Sequence, residues 1–117
     1  MTTIYVVENN AAVRDSLTAV LGSHGYAVET FASANDFLHA LDLKSSGVLL
    51  LDIASSEIAA PSVVRELSDE NIDIATIIIS NGRDRTITNR AIAAGAVGSF
   101  DKPLIIQSVI EFIETLL

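Results

Sequence analysis

A chain of 117 residues, half of them apolar, is one domain by length and has enough apolar side chain to form a real core. Its formal net charge of −8 excludes direct nucleic-acid binding as an expected role, because that binding is dominated by attraction to phosphate. It has no cysteine for disulfides or thiolate metal sites, no basic signal region before the first strand, and no apolar run near the ~20 residues of a membrane span, so a cytoplasmic protein without membrane partners is expected.

Strand and helix patterns alternate along the chain. Thr3–Val7 is β-branched and aromatic and predicts a buried strand. Apolar residues then recur at Val13, Leu17, Val20 and Leu21, a helical stripe with Asn10 as its N-cap and Gly22 and Gly25 at its exit. Tyr26–Phe31 predicts a second strand, and Ser33 caps a helix that turns Ala34, Phe37, Leu38 and Leu41 inward. Val48–Ile53 is apolar except for Asp52, the pattern of a central strand covered on both faces. Pro61 opens a third helix carrying Val63, Val64 and Leu67.

Ile74–Ser80 predicts a fourth strand and Asn81-Gly82 a turn. Asp84 is placed to cap a fourth helix with Ile87, Ala91 and Ala94 inward, ending at Gly95. Ala96–Phe100 predicts the fifth strand and Leu104–Leu117 the fifth helix. Five βα units with short links predict an α/β fold with a parallel sheet and helices on both faces. In the last helix, Ile105, Ile106, Val109, Ile110, Phe112, Ile113, Leu116 and Leu117 cover an arc of about 160° at about 100° per residue. Ile105, Phe112 and Leu116 form one edge of that arc, either as further core or as a partner surface.

Five polar residues, Glu8, Asn9, Asp52, Ser80 and Lys102, sit at or just past the ends of apolar runs. In a parallel sheet all five emerge at the carboxyl edge, where open α/β sheets hold ligands. Two carboxylates, an amide, a hydroxyl and an ammonium suit a divalent metal and a phosphoryl group. Three of the seven basic residues, Arg83, Arg85 and Arg90, fall within eight positions, as a solvated helix start or a docking patch. His24 and His39 have no acidic partner pattern, and no nucleophile–base spacing supports a hydrolase, so the chain is not expected to be an enzyme.

The whole chain resembles the receiver domain of two-component response regulators, so residues 1–117 are expected to form one flavodoxin-like, doubly wound domain of strand order 2-1-3-4-5 with five helices. Within that family it is similar to the nitrogen-fixation regulator group, whose receivers usually precede a LuxR-type helix-turn-helix. The resemblance rests on Ala12-Val13-Arg14-Asp15-Ser16-Leu17, Gly25-Tyr26, Thr30-Phe31-Ala32-Ser33-Ala34, Leu50-Leu51-Asp52, Ala94-Gly95-Ala96-Val97 and Lys102-Pro103.

The resemblance implies that Asp52 accepts a phosphoryl group from a histidine kinase or phosphotransfer protein. It implies that Glu8, Asn9, Asp52 and the carbonyl of Ala54 hold Mg²⁺, weakly, because Asn9 stands where the family carries a carboxylate. Ser80 matches the hydroxyl that follows the phosphoryl oxygen, Phe100 the aromatic that swings with it (a role compatible with its being a core aromatic), and Lys102 the lysine that pairs with Asp52 and then phosphate. Lys102-Pro103 matches a cis peptide. Ser55-Ser56 replaces a Met-Pro turn, implying a looser loop, and Asn81 replaces a smaller residue beside the site. Two functions follow from different classes: a Mg²⁺-assisted phosphoacceptor switch, or a pseudo-receiver that binds partners without phosphorylation. Either uses a protein surface, expected as a homodimer through Ile105, Phe112 and Leu116 with Arg83, Arg85 and Arg90 at its rim.

Overall fold

The structure, a computed structural model, describes residues 2–55 and 59–117. Its elements are β1 (Thr3–Val7), α1 (Ala11–Ser23), β2 (Ala27–Phe31), α2 (Ala34–Ala40), β3 (Ser46–Asp52), α3 (Ala60–Asp69), β4 (Asp73–Ser80), α4 (Arg85–Ala94), β5 (Gly98–Asp101) and α5 (Ile106–Thr115). A short 3₁₀ turn, Ile53–Ser55, follows β3. The strands form one parallel sheet of order β2-β1-β3-β4-β5.

Alternation along each strand sorts the core into two halves. Val7, Leu49, Leu51 and Ile78 face α2, α3 and α4, meeting Phe37, Val63, Val64 and Ala91. Ile4, Val6, Val48, Leu50, Ile77 and Ile79 face α1 and α5, meeting Leu17, Leu21, Val109, Ile110 and Ile113. The three middle strands are buried on both sides, so they read as unbroken apolar runs.

Local chemistry sets most of the boundaries. Asn10 accepts the Val13 amide at 3.1 Å and Ser33 the Asp36 amide at 3.1 Å, fixing the starts of α1 and α2. Gly22 lies inside α1, and the exit falls at His24 and Gly25, whose φ of 90° suits glycine. Asp84 occupies the N-cap of α4 but makes no side-chain cap bond, contrary to the expectation from sequence. Strand β5 begins at Gly98, after the Val97 amide has turned onto the Thr76 carbonyl at 2.8 Å. Lys102-Pro103 is a cis peptide. Helix α5 starts at Ile106, two residues later than expected, because Ile105 is still extended.

Gly47, at the start of β3, has a φ of 141°, and a Cβ there would lie 2.1 Å from the Thr3 carbonyl oxygen of β1. Backbone sits against backbone at this point, and no rotamer change relieves the clash. Gly47→Ala should therefore cost about 3 kcal/mol and lower the melting temperature by more than about 10 °C, read by circular dichroism. A melting temperature within a few degrees of the parent would show that the β1–β3 junction yields.

Candidate functional site

The carboxyl edge of the sheet gathers the polar residues. Glu8 follows the last residue of β1 and Asp52 is the last residue of β3; both are buried. Lys102 follows β5, and its ammonium lies 2.5 Å from Asp52 Oδ2 and 3.5 Å from Glu8 Oε1. The other carboxylate oxygen, Asp52 Oδ1, accepts the Ala54 amide at 2.9 Å. Adjacent parallel strands β1 and β3 place the two acids side by side, and β5 brings its lysine back across β4.

Burial works against ionisation of Asp52. A hydrogen bond with the Glu8 carboxyl, the hydrogen bond and charge of Lys102, and the Ala54 amide outweigh it and hold the carboxyl below the usual aspartate range. For Lys102, burial disfavours the charged form, but Asp52 and Glu8 reverse that and push the ammonium above the usual lysine range.

Ser80, also buried, ends β4 one residue beyond Ile79, the register partner of Asp52. Its hydroxyl accepts the Gly82 amide at 3.1 Å and its carbonyl the Lys102 amide at 2.6 Å, tying the ends of β4 and β5 together. Asn9 is at the same edge and exposed. Asn81 turns its side-chain oxygen onto the Arg83 amide at 3.0 Å. Ser56 lies outside the described residues.

Phe100 packs against the core, as one of its two compatible readings expects. It is in register with Ile79 and faces α5, where its ring meets Phe112 edge-on at 5.7 Å. Ser80 is in register with Asp101, so the alternation of β5 puts Ser99 and Asp101, not Phe100, on the side of Ser80. Ser80 and Phe100 therefore lie on opposite faces of the sheet in this structure. Phe112 and Leu116 are also half-buried against this face, with the Phe112 ring seated over Gly98, while Ile105 is 70 % exposed. Arg83, Arg85 and Arg90 are exposed as expected.

One residue of the site escaped the sequence reading. Arg14, on α1, donates from Nη1 to the Glu8 carbonyl at 2.7 Å. Its only signal in the sequence is that no other lysine or arginine precedes Lys44.

The oxygen donors suit a hard divalent cation. Glu8 and Asp52 supply two buried carboxylates, and Asn9 adds an amide oxygen at the neighbouring position. Among the described residues no third carboxylate or imidazole joins them, so the formal charges balance a divalent ion and no more.

The chain is thus a doubly wound parallel sheet with two acids and a lysine at its carboxyl edge. The chain belongs to the response regulator receiver domain family, whose profile matches residues 4–114. It is similar to the response regulator protein TodT of Pseudomonas putida, at 36% identity over 100 residues covering 86% of this chain and 44% of TodT. It is also similar to the transcriptional regulatory protein FixJ of Rhizobium meliloti, at 33% identity over 112 residues covering 96% of this chain and 55% of FixJ. The crystal structure of FixJ-N superposes with a TM-score of 0.85 at 33% identity, covering 97% of this chain and 91% of that one. The chain spans about half the length of the curated relatives it matches. Among the described residues no helix is long and apolar enough to cross a membrane.

The lysine contact has a defined pH signature. Asp52 stabilises the fold above the ordinary aspartate value of 3.8, and this is lost as pH falls through its depressed folded value. Lys102 contributes below the ordinary lysine value of 10.5, and this is lost as pH rises through its raised one. Lys102→Met leaves two buried acids without their cation and should cost about 1–2 kcal/mol at neutral pH, a range reduced for the solvent around the lysine head. Urea melts at a series of pH values should show the deficit shrinking once the pH drops below 3.8. A deficit independent of pH would assign the loss to packing of the lysine stem instead.

Proposed function

We propose that this domain is a phosphoacceptor switch in which Asp52 takes a phosphoryl group from a phosphohistidine of a histidine kinase or phosphotransfer protein. The observation that carries this is the Asp52 carboxylate itself: buried, ionised, and oriented by Lys102 on one oxygen and the Ala54 amide on the other. A carboxylate oxygen attacks phosphorus, an O–P bond forms, and the P–N bond to the donor imidazole breaks with its electrons on nitrogen, which solvent then protonates. Lys102 passes from the carboxylate to the transferred phosphoryl oxygens, because the negative charge it pairs with has moved there. The Ser80 hydroxyl takes a further phosphoryl oxygen by leaving the Gly82 amide.

Receiver domains generally use Mg²⁺ for phosphorylation. Here Glu8, Asp52, Asn9 and the Ala54 carbonyl would hold it, and it would neutralise charge on the transferring oxygens. A groove of about 690 Å³ beside Lys102, lined by Ala12, Val13, Ser16, Pro103 and Leu104, offers a phosphodonor an apolar seat next to the site. On the output side, exposed Ile92, Val97 and Ile105 lie on α4, its following loop and the start of α5, with Arg83, Arg85 and Arg90 on and before α4. A homodimer through this side would have Ile105 as its most exposed apolar contact, while Phe112 and Leu116 serve mainly as its support.

Intact mass spectrometry after incubation with phosphoramidate and Mg²⁺ should show one phosphoryl adduct, absent in Asp52→Asn. An unmodified parent protein would instead favour the interaction-module reading, to which the neutral Asn9 lends support. Asn9→Asp should tighten Mg²⁺ binding about tenfold, since an added carboxylate contributes a direct charge–charge attraction. Equal affinities in a fluorescence or amide-shift titration would show that Asn9 is not a ligand position.

A further inference from the structure

The site depends on a connection of three residues, Glu8 to Asn10, between β1 and α1. Glu8 and Asn9 share one peptide unit, the carbonyl of the first and the amide of the second. That unit is held from outside the connection at its carbonyl end by the Arg14 guanidinium, at 2.7 Å. The preceding unit is tied by the Glu8 amide to the Phe31 carbonyl of β2 at 3.0 Å, and Asn10 is committed to capping α1. Arg14 is itself fixed, as its amide closes the first turn of α1 on the Asn10 carbonyl at 3.0 Å and its side chain is half-buried. A planar peptide held at its oxygen restrains ψ of Glu8 and φ of Asn9 together, the backbone torsions on which the aim of both side chains is built.

We infer that Arg14 is a positioning residue for divalent-cation binding at Glu8 and Asn9, acting through the peptide that joins them. The inference rests on the metal reading given above. Its force comes from Asn9: a neutral amide oxygen is drawn to a cation less strongly than a carboxylate, so the backbone must supply the aim that charge would otherwise provide. The guanidinium charge acts in the opposite sense, repelling a cation, which separates the two roles by sign. Groups that orient metal ligands from behind typically change affinity by 10–100-fold; a backbone brace next to a neutral ligand belongs at the lower end.

The test compares wild type, Arg14→Gln and Arg14→Lys in the same chain. Mg²⁺ dissociation constants come from amide-shift titration, metal-free hydrogen exchange is followed at the Asn9 and Asn10 amides, and thermal melts are recorded. Arg14→Gln should bind Mg²⁺ about tenfold more weakly and exchange faster at Asn9 and Asn10, with a melting temperature within a few degrees of wild type. Arg14→Lys, which keeps a charged donor of similar reach, should recover most of the affinity. Unchanged or tighter Mg²⁺ binding by Arg14→Gln overturns the inference while leaving the metal reading intact. So does an Arg14→Lys protein as weak as Arg14→Gln. Loss of the fold in Arg14→Gln would make the residue structural and also overturn it, and absence of Mg²⁺ binding by wild type would overturn both readings together.

Discussion

Two buried carboxylates share one ammonium, and the carboxyl edge of this domain is organised around that arrangement. Burying Glu8 and Asp52 side by side is costly unless a cation and hydrogen bonds compensate, and Lys102 touches both. To deliver that lysine, β5 must lie at its sheet edge with its end tied to Ser80. The acids in turn require β1 and β3 as neighbours at the centre of the sheet, which the unbroken apolar runs of those strands enforce. The arrangement leaves the site one negative charge short of what three carboxylates would give, because Asn9 is neutral.

Apolar and capping signals made the architecture readable. The β-branched and aliphatic runs marked the strands, and Asn10, Ser33, Pro61 and Gly95 marked helix ends by their own side-chain or backbone chemistry. Asp84 misled because its position, though not its side chain, does the capping; the turn at Asn81 and Gly82 sets the approach instead. The parity of β5 was the least legible feature. A strand of four residues has too little pattern for alternation to show which side faces α5, so Phe100 could not be separated from the side of Ser80 until the register with Ile79 was known. For α5, the Phe112 part of the wide apolar arc is absorbed by Phe100 and Gly98, which give its ring an aromatic edge and an open floor, while Ile105 stays exposed.

The contact of Arg14 with Glu8 was illegible for a different reason. A side chain reaching a backbone carbonyl leaves no residue-type signature at the acceptor, so no spacing of chemical types announces it. It links the first turn of α1 to the backbone of Glu8. The pocket is thus fixed from three directions: β2 through the Glu8 amide, α1 through Arg14, and β5 through Lys102.

The central claim is that Lys102 holds Asp52 ready for a phosphoryl group and then transfers its hydrogen bond to that group. A crystal structure of the domain grown with Mg²⁺ and beryllofluoride, a phosphoryl mimic, tests it most directly. The account predicts the mimic on an Asp52 carboxylate oxygen, the Lys102 ammonium moved onto one of its fluorines, and the Ser80 hydroxyl turned from Gly82 toward another. An unmodified Asp52 still paired to Lys102, at saturating Mg²⁺ and beryllofluoride, would contradict it.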